Sequence, residues 1–425
     1  MPNSIFCSWL LLFITLNFGW SAPDRESFAK EDRPVEGVPV EAFELGDGNL
    51  TVQLWARSPL VYSPVAMDFD AHGRLWVTEG IDYNQGLRVQ AGRSIMVVED
   101  KDGDGKADHS HPFVTEKEMR HAPLGIAVFD NRIVLSATPS IIVYTDVDRN
   151  TVFDPKVDKR EVFLTGFQNK NHDHTVHAVV GAPSGQWHFS FGNCGADLKT
   201  KDGRHFLAGC YYGYPEAIGK KSSDGEVYVG GMTMRINPDG TGLTPTGENM
   251  RNPHDMFVTS HGDFLQSDND DPAHSRSSWV MEHANMGYAD LTDGSRSWEE
   301  VAKTWEEPSG WNKSLRFSRS HWRENYPGAF PPGSIYGAGS PTGNVFIEGD
   351  ALGLAGTYLV CCMVRKEIMA CSPQLVEAQI EMGAHRPFVA LKASEKGQRF
   401  LPTDVALAPD GSLFFSDFYN DTSRR

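Results

Sequence analysis

Apolar and polar positions along this chain alternate with period two in short runs, and the runs come in pairs separated by a polar turn. The pairs read VAMDFDAHGRLWVTE around Gly73, GIAVFDNRIVLSA around Asn131, AVVGAPSGQWHFSFG around Gly185, DMFVTSHGDFLQSD around Gly262, LGLAGTYLVCC around Gly356 and DVALAPDGSLFFSD around Gly411. Period two is the signature of a strand with one face buried, and two such runs about a Gly or Asn turn form a hairpin. The turns are 58, 54, 77, 94 and 55 residues apart. Each interval has room for about four strands, so the repeat predicts an all-β, six-bladed β-propeller with loop insertions in the two longest intervals. A large β-sandwich is the alternative, but it would not repeat one hairpin so evenly. The run NLTVQLWA, residues 49–56, is expected to complete the last blade and close the ring. A helix, SWEEVAKTWEE, is expected within the insertion from Trp298 to Trp322.

The first residues break the pattern. Ile5 to Phe18 is mostly apolar and is followed by small residues at Gly19, Ser21 and Ala22, which reads as a secretory signal over residues 1–21. Residues 22–48 then form a linker and 49–425 the propeller, exported to a periplasmic or secreted location. No later run reaches the roughly 18 apolar residues of a membrane span. Charge narrows the partners: 39 Lys+Arg against 56 Asp+Glu give a net charge of −17, a poor match for nucleic acid or an anionic membrane surface. With the signal removed, Cys194, Cys210, Cys361, Cys362 and Cys371 remain, and Cys194 with Cys210 would close a plausible disulfide loop. No C-x-x-C-H occurs, so the chain itself carries no c-type haem attachment.

Three groups of residues carry chemistry. Asp100, Asp102, Asp104 and Asp108, with Gly105 at the sixth place, have the spacing of a calcium-type loop, although His111 stands where an EF-hand has its bidentate Glu. Asp146, Asp148, Asn150 and Asp154 form a weaker copy, with Thr151 in place of the Gly; either could equally be a metal-free turn. The second group is Asn171-His172-Asp173-His174-Thr175-Val176-His177. On a strand His172 and His174 would share one face, as a metal pair, as a general base beside Asp173, or as hydrogen-bonded channel histidines. The third is Arg251-Asn252 before the fourth hairpin and the acidic run Asp268 to Asp271 after it; Arg251 suits a carboxylate, and Asp268 with Asp270 would hold a divalent cation. The second and third groups stand in the same place relative to their hairpins, which would put them on one face of a propeller.

The stretches SPVAMDFDAHGRLWVTEG, MVVEDKDGDGKAD, NHDHTVHAVVGAPSGQWHFSFGN, MRNPHDMF, LQSDNDD, GAGSPTGNVFIEGD and FLPTDVALAPDGSLFFSD resemble the N-terminal membrane-bound-dehydrogenase-type propeller domain of PVC-type haem-binding CxxCH proteins. That domain is related to the soluble pyrroloquinoline-quinone (PQQ) glucose/sorbosone dehydrogenases and shares their propeller of the quinoprotein glucose dehydrogenase and TolB kind. The resemblance spans residues 49–420. It implies a sugar or other alcohol as substrate, PQQ and calcium as cofactors, and a separate electron acceptor, since the haem domain is absent here. It also implies His174 as catalytic base, nine residues before Pro183 and preceded by Asp173, and Arg251 with Asn252 as the quinone-binding pair. The basic residues that clamp the quinone carboxylates in those dehydrogenases have no clear match in the C-terminal third. Two other classes compete with a dehydrogenase: a non-catalytic propeller that binds a glycan or a protein partner, and a calcium-dependent lactonase-like hydrolase.

Overall fold

The computed structural model describes residues 38–80, 93–116, 119, 121–210, 212–269, 274–289 and 328–418. The expected signal at 1–21, the helix at 297–307, and Asp270 and Asp271 lie outside them. Among the described residues all regular structure is strand, apart from single 3-10 turns.

Each of the six predicted hairpins is present, and each supplies the first two strands of a sheet. The pairs are Pro64–Phe69 with Leu75–Glu79, Ile126–Phe129 with Arg132–Ala137, Val176–Gly181 with Trp187–Phe191, Pro253–Val258 with Phe264–Asp268, Pro341–Ile347 with Thr357–Cys362, and Pro402–Leu407 with Leu413–Asp417. We number the sheets 1 to 6 in that order. Sheet 1 is completed by Arg93–Glu99 and His109–Glu116, and sheet 2 by Ser140–Thr145 and Lys159–Thr165. The first strands touch in a closed cycle, 1 to 2 through to 6 and back to 1, so the sheets form a propeller ring.

Second strands such as Trp187–Phe191, Phe264–Asp268 and Thr357–Cys362 are buried at every position. They are sandwiched between neighbouring sheets, so that polar members such as Gln266 and Asp268 are buried as well. The outer strand His109–Glu116 is mostly half-buried. Burial of side chains such as Phe189 and Phe191 stabilises the fold by roughly 2–3 kcal/mol each.

Two expectations change here. Residues 50–57 form no strand: Trp55 packs edge-on against Phe414 of sheet 6 at 5.1 Å, while its carbonyl accepts from the Ala107 N–H at 2.9 Å. The contact with the last sheet is thus made by an aromatic side chain, not by strand pairing. The N-terminal strand lies earlier, at Phe43–Leu45, inside the expected linker, and it pairs with Arg386–Leu391 at the outer edge of sheet 5. The long third interval holds a separate small sheet of Ala196–Lys199, His205–Gly209 and Tyr228–Val229.

In sheets 3 to 6 the register slips just after the first residue pair of the inner hairpin, between Val176 and Val179, Pro253 and Met256, Pro341 and Asn344, and Pro402 and Val405. Such a bulge re-aims the side chains it contains. The slipped stretches contain His177, His254, Asp255 and Asp404.

Candidate active site

His172–His174 is a 3-10 turn rather than part of a strand, because Asn171 Oδ1 accepts the Asp173 N–H at 3.2 Å and holds the turn before the strand begins at Val176. The expected strand alternation of His172 and His174 therefore does not apply. Asp173 is exposed and pairs with His172 at 3.0 Å, whereas His174 is deep-set yet keeps some accessible surface. His174 Nδ1 lies 2.6 Å from Asn193 Oδ1. With that oxygen as acceptor the Nδ1–H donates, and the lone pair is left on Nε2. Burial, then the nearby Arg251 cation, pushes the imidazole down to about 3, so the ring is neutral at ordinary pH.

The backbone brings the third group to the same place. Asn193 N–H donates to the Arg251 carbonyl at 2.8 Å, and Cys194 N–H to the His174 carbonyl at 3.1 Å. Gly192 makes the approach possible: a Cβ there would meet Asn252 Oδ1 at 2.3 Å and the His174 carbonyl oxygen at 2.8 Å. The Arg251 guanidinium is almost fully buried, with Nη1 donating to the side-chain and main-chain oxygens of Asn269. Asp268 has both oxygens engaged, accepting from the Arg251 N–H at 3.1 Å and the Asn252 N–H at 2.7 Å. Its position shapes the turn that presents Arg251 and Asn252. Beside His174 stands Tyr212, ring centres 5.6 Å apart, with Lys170 Nζ 4.7 Å over the Tyr212 ring. Three polar atoms of this region, Asn193 Nδ2, Asn252 Oδ1 and His254 Nδ1, are shielded from solvent and have no hydrogen-bond partner.

Sequence reasoning did not single out Asn193, which closes the stretch NHDHTVHAVVGAPSGQWHFSFGN, and it missed Lys170 and Tyr212, which belong to no motif. Asp68 and Asp404 also went unremarked, and with Asp255 they form a set of carboxylates on the first strands of three sheets. Asp404 accepts the Met67 N–H at 2.7 Å, Asp68 the Val128 N–H at 2.7 Å and Asp255 the Asn344 N–H at 2.8 Å, each bond tying one sheet to the next. Burial raises Asp68 to about 6 and Asp255 to about 7, and Asp404 well above the usual range. Repulsion adds to each, from Asp70 on Asp68, from Asp68 on Asp255 and from Asp255 and Asp68 on Asp404. The signal was present as an Asp in the first strand of three hairpins, in M-D-F, H-D-M and T-D-V.

The two Asp-rich loops lie at the outer edges of sheets 1 and 2. Asp100, Asp102 and Asp104 bring carboxylate oxygens within 4.8 Å of one another. Asp100 accepts from the Gly103 and Gly105 N–H groups at 2.8 Å each, and Asp108 accepts from Lys101 at 3.1 Å. In the second loop the oxygens that converge are those of Asp146, Asp148 and Asp158. Asn150 and Asp154 turn to backbone N–H groups instead, of Val152 and Lys156. Asp158 lies beyond the nine-residue window read in the sequence.

A family described as a domain of unknown function, DUF7133, matches residues 40–423. The chain belongs to that family. No curated protein matches it by sequence. Among solved structures, the DUF7133 chain resembles the calcium structure of a Trichoderma reesei carbohydrate-active enzyme of family AA12, at 13% identity and TM-score 0.57, over 90% of this chain and 94% of that one. It resembles the PQQ-bound aldose sugar dehydrogenase of Streptomyces coelicolor at 13% identity and TM-score 0.55, over 92% and 95% of the two chains. The PQQ domain of pyranose dehydrogenase from Coprinopsis cinerea follows at 14% identity and TM-score 0.53, over 84% and 91%. At such identities the likeness establishes the fold, a propeller of the kind found in sugar dehydrogenases. Among the described residues no helix is long and apolar enough to cross a membrane.

Proposed function

We propose that this DUF7133 propeller is an exported quinoprotein-type dehydrogenase that oxidises a hydroxyl of a sugar or another alcohol, using PQQ and passing electrons to a separate carrier. The observation that carries the reading is His174: a neutral imidazole, oriented through Nδ1 by Asn193, with a free Nε2 lone pair beside Arg251. The resemblance of residues 49–420 to the propellers of PVC-type haem proteins and the signal-like residues 1–21 support export. The residues around His174 also fit a flat polyanion such as PQQ. Arg251 and Lys170 supply positive charge, Tyr212 a flat face, and Asn193 Nδ2 and Asn252 Oδ1 are buried polar atoms in want of partners.

Bound there, the quinone supplies the hydride acceptor. His174 Nε2 takes the hydroxyl proton as the substrate C–H is broken. Asn193 keeps the tautomer that makes this possible, and Asn269 fixes the Arg251 guanidinium, whose positive charge would suit a bound anion. Calcium in the Asp100–Asp108 loop, and in the Asp146 loop, would stiffen the sheet edges. The test is to add PQQ and calcium to the purified protein and follow dye reduction over a panel of sugars and alcohols. Quinone binding at micromolar concentration with turnover of at least one substrate is expected; no quinone binding at that level would overturn the proposal.

A further inference from the structure

At the outer edge of sheet 1, away from the channel, Glu99 closes the strand Arg93–Glu99 and His109 opens the strand His109–Glu116, directly opposite in the antiparallel ladder. His111, two residues on, shares the face of His109. A ligand atom from each of Glu99, His109 and His111 lies within 4.8 Å of those of the other two. Nitrogen, nitrogen and carboxylate on one small patch is a donor set for a borderline transition metal, whereas the oxygen-only loop beside it suits calcium.

The chemistry of His111 adds an independent observation. Its Nε2 lies 3.1 Å from the Thr151 carbonyl oxygen and 3.0 Å from Thr151 Oγ1. The Thr151 hydroxyl already donates to the Asn150 carbonyl at 2.6 Å, so both Thr151 oxygens act as acceptors and His111 Nε2 must carry the proton. That fixes the tautomer with its lone pair on Nδ1, and Nδ1 is shielded from solvent with no partner. An outer partner that orients the imbibed nitrogen in this way is what metal-bound histidines regularly have. Lys101 Nζ, 3.5 Å from Glu99, is the cation that a metal would displace.

We propose that Glu99, His109 and His111 form a site for a divalent transition metal of the zinc class, three protein ligands with water completing the shell. Thr151 belongs to the loop of sheet 2, so the ion would pin the edge of sheet 1 to its neighbour through His111. This site is separate from the proposed dehydrogenase centre and does not depend on it.

Titration of the full, tag-free, chelator-washed protein with zinc alone, in excess calcium to fill the oxygen loops, tests the assignment. One equivalent is expected to bind at micromolar concentration or tighter, and His111→Ala and Glu99→Gln to weaken it at least about 100-fold. Asp104→Asn should leave it unchanged. Should either ligand variant unfold, judged by its melting curve, copper(II) bound to the wild-type chain is read by its spin-resonance spectrum, where splitting by two nitrogens is expected. Zinc binding unaltered in a folded His111→Ala, no binding below millimolar zinc, or a copper spectrum without nitrogen splitting would each overturn the proposal.

Discussion

The region around His174 and the Asp-rich loops at the sheet edges use the same polar groups and treat them in opposite ways. In the loops, Asp100 and Asp146 are saturated by nearby backbone: Asp100 accepts from Gly103 and Gly105, and Asp146 from Asn150 and Thr151. Around His174, amide atoms of Asn193 and Asn252 and a ring nitrogen of His254 have no partner. An unsatisfied buried polar atom costs about 1–3 kcal/mol, so it persists where another requirement outweighs stability. An Asp-rich turn stands without a cation, whereas an orphaned set deep in a ring calls for a ligand.

The largest effect that would test the contrast is on turnover. His174→Gln should lower kcat by about 100- to 10,000-fold, the range for loss of a positioned base, while PQQ binding is kept. A variant with near wild-type turnover would remove His174 from the chemistry. Next comes binding: Arg251→Leu deletes a buried charged donor and should weaken PQQ binding about 10- to 100-fold, measured by quenching of intrinsic fluorescence. The equivalent change at the edge, Asp102→Asn, should leave PQQ affinity unchanged. If the two variants behaved alike, the distinction between the regions would fail.

Titration separates the regions further. Burial holds His174 near 3 and His177 near 4. A histidine depressed in the folded state contributes stability that is lost as pH falls below its unfolded value of about 6.5. Asp255, raised to about 7, and Asp404, raised further, act the other way: their contribution is complete near pH 4 and is lost as pH rises through 7. Only above about pH 7.5 are the histidines neutral in both states, so a decline there belongs to the buried carboxylate raised furthest, Asp404. Thermal melts should show stability falling above about pH 7.5 by up to roughly 1 kcal/mol per unit, with a flatter limb in Asp404→Asn. An unchanged limb in that variant would clear Asp404 of the effect.

Much of the fold was legible because it rests on short-range physics. The inner hairpins show period two and turns such as Gly73 and Gly262, where φ is positive and a side chain would be strained. The strand Phe43–Leu45 was not legible: three residues carry no period, and the partner strand Arg386–Leu391 lies near the far end of the chain. Residues 49–56 misled for the converse reason, since alternation in T-V-Q-L-W serves to seat Trp55 on Phe414. Near His174 the motif was visible but its geometry was not. A side-chain cap from Asn171 decides between turn and strand, and Asn193 arrives only through the close approach at Gly192. Asp158 was missed because a converging ligand need not sit at a repeating interval.

The smallest expected effect lies between the two loops themselves. Gly105 has φ +86 and Thr151 φ +63, the same left-handed turn at the same position of each loop. For Gly105 a Cβ would meet nothing closer than Gln53 Nε2 at 3.8 Å, so Gly105→Thr introduces backbone strain alone, about 1–2 kcal/mol of destabilisation. Thr151→Gly relieves a similar strain but loses the Oγ1 contact with His111, about 1 kcal/mol, and adds chain entropy to the unfolded state, about 0.5–1 kcal/mol. Its net change should stay within about 0.5 kcal/mol by urea unfolding. A β-branched residue in the left-handed region persists when its surroundings over-determine it. If Thr151→Gly instead stabilised the chain by about 0.5–1 kcal/mol, the strain less the added chain entropy, the His111 contact would contribute nothing, and Thr151 would be a strained residue without a compensating bond.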